Sequence, residues 1–296
     1  MCKCFAKYFK KDKLNIMKYE ICGNDIVLRD VSCFSLEDTF ECGQCFRWDR
    51  IEGEEDTTYE GVAFGKLLRL CQKQNGDIVL LETSENDYKE IWEDYFDLKT
   101  DYDMVRDNLS KDETLKKACS YGSGIRLLRQ DGWEALFSFI ISQNNNIKRI
   151  KGIIKRLCEK YGEEIEKGYY AFPSAESLKH VSADEFFELK CGFRAKYLFD
   201  CVQKVLTKEL ELSSLYSLPL DEARESLIKI KGVGAKVADC ALLYGFGRME
   251  CFPKDVWIKR AMENLFPEGL PSCAKDYAGI AQQYIFHYAR TSGIFD

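Results

Sequence analysis

The chain has 296 residues, enough for about two domains of ordinary size and for a core that needs no covalent staples. With 46% hydrophobic and 13% aromatic residues and only five prolines it is neither disordered nor a fibrous repeat, and no uninterrupted apolar run approaches the ~20 residues that cross a bilayer. The net charge of −6 is unevenly spread: residues 1–18 carry +5, residues 19–112 carry −14 and residues 113–296 carry +3, so a polyanion, if one binds, meets the last stretch.

Residues 1–18 read as a basic N-terminal tail without the apolar centre or small-residue cleavage site of a signal peptide. Residues 19–112 read as an N-terminal antiparallel β domain. Its strands are predicted over 19–22, 25–28, 45–48, 58–62, 67–70 and 78–81, with turn signals between them. A short helix is expected near Ser35–Phe40, where Ser35 and Asp38 form an N-cap signature. From Asn86 the period becomes helical. Helices are predicted over 86–95, 101–109, 113–120, 132–142, 147–161, 175–180, 183–189, 195–210, 221–230, 235–246, 255–265 and 276–290. In the fifth of these, Ile147, Ile150, Ile154, Leu157, Cys158 and Tyr161 share one stripe. Residues 113–296 therefore form a mainly α-helical domain, and the fold class is α+β with the β part first.

Fourteen cysteines are scattered along the chain, which predicts reduced thiols and an intracellular, reducing compartment. Cys42-x-x-Cys45 and Cys2-x-Cys4 each resemble half a metal site, but no second pair stands at zinc spacing and the chain has two histidines, so no metal is expected.

The most informative stretch is Lys231-Gly232-Val233-Gly234-Ala235-Lys236, where one apolar helix ends and a small-residue helix begins at once. Glycines one residue apart permit positive φ and a close backbone approach, and the N–H groups of Gly232, Val233 and Gly234, with those of the next helix, can cradle a phosphate oxygen. The spacing alone leaves open a tight turn whose glycines serve only packing. Lys236 at a helix N-terminus opposes the helix dipole, which argues against an idle surface lysine. About twenty residues on, Phe252-Pro253-Lys254-Asp255-Val256-Trp257 supplies a carboxylate behind a proline.

This combination resembles the helix-hairpin-helix DNA glycosylase superfamily, and the string GVG-x-KVADC resembles its 8-oxoguanine DNA glycosylases. The resemblance implies a bifunctional N-glycosylase and abasic-site lyase. Lys236 would be the amine that attacks the sugar C1′ and remains as a Schiff base, and Asp255 would stabilise the oxocarbenium-like sugar. Such an amine needs desolvation or cationic neighbours to lose its proton. Cys240 shares the helical face of Lys236 and is implied in base recognition, although a small buried core residue is the plainer reading.

Cys42-Gly43-Gln44-Cys45-Phe46-Arg47-Trp48 is similar to the family's GQ-x-FRW element, which implies that the Gly43 carbonyl reads the N7–H that 8-oxoguanine has and guanine lacks. The C-terminal helix places Tyr277, Ile280, Ala281, Tyr284, Ile285 and Tyr288 on a core stripe and Gln282 and Phe286 away from it. There the resemblance implies that Gln282 bonds the flipped base's Watson–Crick edge and that Phe286 stacks on it. The triplet Asn144-Asn145-Asn146 before Arg149, and Gly192-Phe193-Arg194, resemble the segments that handle the opposite strand. Asn144, Arg149 and Arg194 would hold the orphaned cytosine, and Phe193 would wedge into the stack. Several relatives have Tyr where Phe193 stands and His where Trp257 stands.

No four-cysteine iron–sulfur loop follows the helical domain, which argues against relatives carrying such a cluster. The expected partner is double-stranded DNA containing 8-oxoguanine, with no cofactor, no membrane and a monomeric enzyme. The compartment would be nuclear in a eukaryote, and cytoplasm or nucleoid in a bacterium. A monofunctional alkylbase glycosylase, or a helix-hairpin-helix module that binds DNA without chemistry, are the alternatives.

Overall fold

The computed structural model describes residues 19–29 and 31–295; the basic tail, with Cys2 and Cys4, lies outside the described residues. The strands β1 (Tyr19–Cys22), β2 (Asp25–Leu28), β3 (Trp48–Ile51), β4 (Thr57–Ala63), β5 (Lys66–Gln72) and β6 (Ile78–Leu81) form one sheet in the order β1-β2-β6-β5-β4-β3. Every neighbouring pair is antiparallel. Alternation along the strands turns Ile26, Leu28, Leu68, Leu70, Ile78 and Leu80 to one face, where they pack on Phe40, Trp48, Trp92 and Phe96. Helix α1 (Leu36–Glu41) covers that face, and its first turn is capped by Ser35 Oγ accepting from Asp38 N at 3.1 Å.

The helical part begins with α2 (Glu85–Asp87) and α3 (Glu93–Tyr95), joined by a π-turn, and continues through α4 (Tyr102–Leu109) and α5 (Glu113–Tyr121). Then come α6 (Gly132–Ser142), α7 (Ile147–Tyr161), α8 (Ala183–Phe186) and α9 (Ala195–Leu206). The last four are α10 (Leu220–Ile228), α11 (Ala235–Phe246), α12 (Val256–Leu265) and α13 (Ala278–Thr291). At the centre, α11 packs on α6, with Gly132 against the Phe246 ring and Gly245 against Ala135. The α+β architecture, sheet first, agrees with the sequence. Among the described residues no helix is long and apolar enough to cross a membrane, and the twelve described cysteines are free thiols.

Four features differ from expectation. The third strand runs over Trp48–Ile51 rather than 45–48, because Gly43 has φ +83° and the apolar Cys45 and Phe46 pack from a loop into two different cores. Residues 175–180 form hydrogen-bonded turns, closed by Leu178 N on Ser174 O, and not a helix. The last helix starts at Ala278, after a 3-10 turn over Ser272–Tyr277, and a small hairpin of β7 (Glu164–Glu166) and β8 (Tyr169–Tyr170) follows α7.

The sheet core and the helical core meet at the loop after α1. Gln44, fully buried, donates from Nε2 to the carbonyls of Thr39 (2.9 Å) and Arg126 (2.8 Å) and accepts from Leu128 N at 2.9 Å. Gln44→Ala leaves those three backbone groups without partners in a site closed to water, and should cost about 3 kcal/mol. The check is a urea unfolding midpoint; an unchanged midpoint would mean that water reaches the loop and replaces the amide.

Candidate active site and nucleic-acid interface

The hairpin between α10 and α11 is built by three constraints. Gly232 has φ +75°, and a Cβ there would lie 2.3 Å from the Tyr197 ring, so only glycine fits. Lys231 N donates to Asp200 Oδ2 at 2.7 Å, and Val233 N closes the turn on Ile230 O at 3.0 Å. Val233 is buried, whereas Gly232 and Gly234 are exposed. No acceptor among the described residues meets the N–H groups of Gly232 and Gly234, and the first turn of α11 adds its own unpaired donors because Gly234 offers no side-chain cap. The anion cradle thus consists of the two glycines and the start of α11, with Val233 anchoring it from below.

Lys236 sits half-buried in that first turn, its Nζ 5.7 Å from the centre of the Phe139 ring. No carboxylate among the described residues is paired with it. Exposed Lys254 and Lys259 line the same cleft. One turn on, burial pushes the Cys240 thiol up to about 11, and neighbouring Lys236 works against that shift while Asp255 adds to it. The thiol therefore lies within electrostatic reach of both the lysine and the aspartate. Asp255 is the N-cap of α12, where its Oδ1 accepts from Ile258 N at 2.8 Å, and its other oxygen has no partner among the described residues. Asp239, one residue before Cys240, pairs with Arg224 at 2.7 Å and is structural.

Gly43 faces the C-terminal helix. A Cβ on it would lie 3.7 Å from the Phe286 ring and 3.3 Å from Arg290 Nη1. The carbonyls on either side are saturated by side-chain amides: Gln283 Nε2 donates to Cys42 O at 3.1 Å and Gln130 Nε2 to Gln44 O at 2.7 Å. Among the described residues no donor meets the Gly43 carbonyl between them. Gln282 is buried and donates to Pro253 O at 3.2 Å, on the loop that carries Asp255, while its Oε1 stands 3.5 Å from the Tyr244 hydroxyl. Gly43, Phe286, Gln282, Cys240, Lys236 and Asp255 are thereby tied to one region.

The second group lies where α6 ends. Asn144 is exposed with φ +47°, Asn145 bonds back to Ile141 O, and Asn146 caps α7 by accepting from Arg149 N at 2.9 Å. Arg194 is almost fully buried and donates to the carbonyls of Gln143 (2.8 Å), Asn144 (2.8 Å) and Cys191 (3.2 Å). Four of its five N–H groups are used in this way, counting a second bond to Gln143, and one on Nη1 is left over. Arg149 is exposed and makes one long bond, 3.4 Å, to Lys190 O. Phe193, 53% exposed, stands out from the loop with its ring 4.3 Å from the Arg194 guanidinium.

Sequence reasoning passed over Tyr244, Gln283, Gln130 and Arg290. The guanidinium of Arg290 stands over the Phe286 ring at 5.7 Å, and its spacing of four residues from Phe286 is a signal that could have found it. The polar residues Gln130 and Gln283 carry no such signal.

Comparison with known proteins places these features. The model of the 8-oxoguanine DNA glycosylase N-terminal domain matches residues 26–136, and that of the HhH-GPD superfamily of base excision DNA repair proteins matches residues 137–270. A probable N-glycosylase/DNA lyase of Methanothermobacter thermautotrophicus is 29% identical over 90% of this chain and 96% of its own. The N-glycosylase/DNA lyase of Saccharomyces cerevisiae is 30% identical over 85% of this chain and 70% of its own. The crystal structure of the Clostridium acetobutylicum 8-oxoguanine glycosylase/lyase, in complex with duplex DNA containing cytosine opposite 8-oxoguanine, superposes with a TM-score of 0.86 at 41% identity, covering 94% of this chain and all of that one. With both domain models matched in order and relatives aligned along most of its length, the chain belongs to the 8-oxoguanine DNA glycosylase family of helix-hairpin-helix base-excision repair proteins.

Proposed function

We propose that this protein removes 8-oxoguanine from duplex DNA and then nicks the strand at the resulting abasic site. The observation that carries the reading is the Gly43 carbonyl, left without a donor between two saturated carbonyls and beside the Phe286 ring. An acceptor fixed in that position favours a purine with N7–H and repels guanine, whose N7 is itself an acceptor. Gln282 keeps an acceptor and one N–H for the Watson–Crick edge, and Phe286 supplies the stacking surface for a base turned out of the duplex. The hairpin glycines and the first turn of α11 hold a backbone phosphate, which brings the sugar over Lys236.

The chemistry follows from the two charged groups. The Lys236 amine bonds to C1′ as the bond from C1′ to the base breaks, and the base leaves with that electron pair. The positive charge on the sugar in between is stabilised by the Asp255 carboxylate, which its cap to Ile258 holds in a fixed place. The sugar ring then opens to a Schiff base, a 2′ proton is lost and the 3′ phosphate departs, which cuts the strand. The protein acts as a monomer in the DNA-containing compartment of the cell, and the free thiols of its described cysteines fit a reducing environment there.

Lys236→Ala should abolish both strand nicking and borohydride trapping of the covalent complex while duplex binding persists, because the nucleophile is removed and the backbone cradle is not. Normal trapping would refute the assignment. Asp255→Asn should bind damaged DNA as the parent does but release base far more slowly in single turnover, since the lost charge acts on the transition state. An unchanged rate removes Asp255 from the mechanism.

The opposite strand is read at the end of α6. An excised base leaves a cytosine with unmet N3 and O2 acceptors, and Arg149 can turn its uncommitted N–H groups to them. The remaining N–H of Arg194 points to the same role, but Arg194 also holds the Asn144 turn. Arg149→Ala should therefore cost on the order of 1–3 kcal/mol in single-turnover excision opposite cytosine and less opposite adenine, whereas Arg194→Ala should slow both and cytosine more. Equal slowing by Arg149→Ala on both duplexes would reduce that arginine to a phosphate contact.

A further inference from the structure

Two buried polar side chains, Tyr244 and Gln283, take no part in the chemistry above, yet they connect its parts. Tyr244 is on α11, two turns beyond Lys236, and its ring stacks on Phe139 at 5.3 Å and 19°. Phe139 is the same ring that lies beneath the Lys236 ammonium. The backbone of Tyr244 is also held, its carbonyl accepting from Gln130 N at 2.8 Å. Its hydroxyl donates to Gln283 Oε1, and Gln283 Nε2 donates to Cys42 O at 3.1 Å, one residue before Gly43.

We propose that Tyr244 and Gln283 are positioning residues for damage recognition, forming a relay from α11 to the Cys42 carbonyl that fixes the direction of the Gly43 carbonyl. The proposal rests on the reading of Gly43 as the group that meets the base. The relay has a direction because the tyrosine has one proton. Burial holds the Tyr244 hydroxyl well above its ordinary range, so it stays protonated and donates. That proton goes to Gln283, and the Cys42 carbonyl orients the amide, because a flip would set Oε1 against that carbonyl, which can only accept. Gln282 Oε1, farther from the same hydroxyl at 3.5 Å, is left to the base. Cys42 O and Gly43 O belong to adjacent peptide planes joined at a glycine with positive φ, so pinning the first plane removes the coupled rotation of the two and leaves the second only its own ψ to turn about.

The relay serves base recognition and not the lysine, so the two activities separate. Tyr244→Phe keeps the ring on Phe139 and removes only the hydroxyl; Gln283→Met keeps the volume and removes both amide bonds. Each should slow single-turnover excision of 8-oxoguanine opposite cytosine about tenfold, while nicking of a preformed abasic duplex stays within about twofold of the parent. The double variant should be no slower than the slower single one, since both cut the same chain of bonds. Unchanged excision in Tyr244→Phe, parallel loss of excision and nicking, or additive losses in the double variant would overturn the proposal. If Gln283→Met does not fold by thermal melting, Tyr244→Phe decides alone. Absence of both activities in the parent would instead bring down the function on which the proposal rests.

Discussion

Hydrogen bonds from amide groups, two of them on the fully buried Gln44 and Gln283 side chains, hold this protein's two cores in register. Gln44 ties the loop after α1 to the Ile125–Leu128 segment, Gln130 bonds the Gln44 carbonyl and the Tyr244 carbonyl, and Gln283 bonds the Cys42 carbonyl. Each such bond adds little net stability when made, but a broken one strands a desolvated donor or acceptor, so the penalty for any displacement of the loop is steep. That asymmetry is what a recognition loop needs. On the proposed reading, discriminating 8-oxoguanine from guanine depends on one carbonyl pointing one way, and a loop held only by apolar contacts could turn its peptide plane without large cost. The price of this rigidity is a junction in which few side chains can change singly.

The charge balance fits the same economy of placement. Phosphate binding at the hairpin, as proposed, would rely on backbone N–H groups, which add no formal charge, so a net charge of −6 does not oppose it. The carboxylates nearest the hairpin are occupied internally, Asp200 by Lys231 N and Asp239 by Arg224. The charge of Asp239 is thereby paired with a cation, and one oxygen of Asp200 is held by the hairpin's own backbone. Lys236, Lys254 and Lys259 then set the local sign of the cleft despite the acidic β part.

Much of this was legible in the sequence because it follows local rules. Ser35 caps α1 and Asp255 caps α12 through their own side chains, Gly232 stands where only glycine fits, and the strands bounded by turn residues at 19–22, 25–28 and 78–81 fall where the sequence puts them. The misses are where two packing surfaces compete. Cys45 and Phe46 alternate like a strand but insert into separate cores, so the strand starts at Trp48. Helix α13 is enclosed on more than one side, and Gln282 and Gln283 are both buried although a one-sided stripe predicts only the apolar residues inside. Tyr244 and Gln283 are invisible to periodicity, since their partners lie 39 residues apart from each other and 241 residues away at Cys42. Arg194 was legible as a residue of the family pattern, but its burial and its grip on the Asn144 turn were not, because its acceptors lie about fifty residues upstream.

The opposite-strand site shows how unfavourable electrostatics become useful. Arg194 is a buried cation without a carboxylate among the described residues; burial first, and Arg149 second, lower its pKa. What keeps the charge there is the turn just past α6, where the carbonyls of Gln143 and Asn144 accept from the guanidinium with the negative end of the helix dipole behind them. Two like-charged guanidinium groups therefore lie within electrostatic reach of each other, and Phe193 stands exposed beside them with its ring held under Arg194. On the proposed reading, a base that brings acceptors to this pair relieves the repulsion, and one that brings a donor adds to it. The discrimination would then be set before DNA arrives, by cations that the fold holds with carbonyls and that pair with no carboxylate among the described residues.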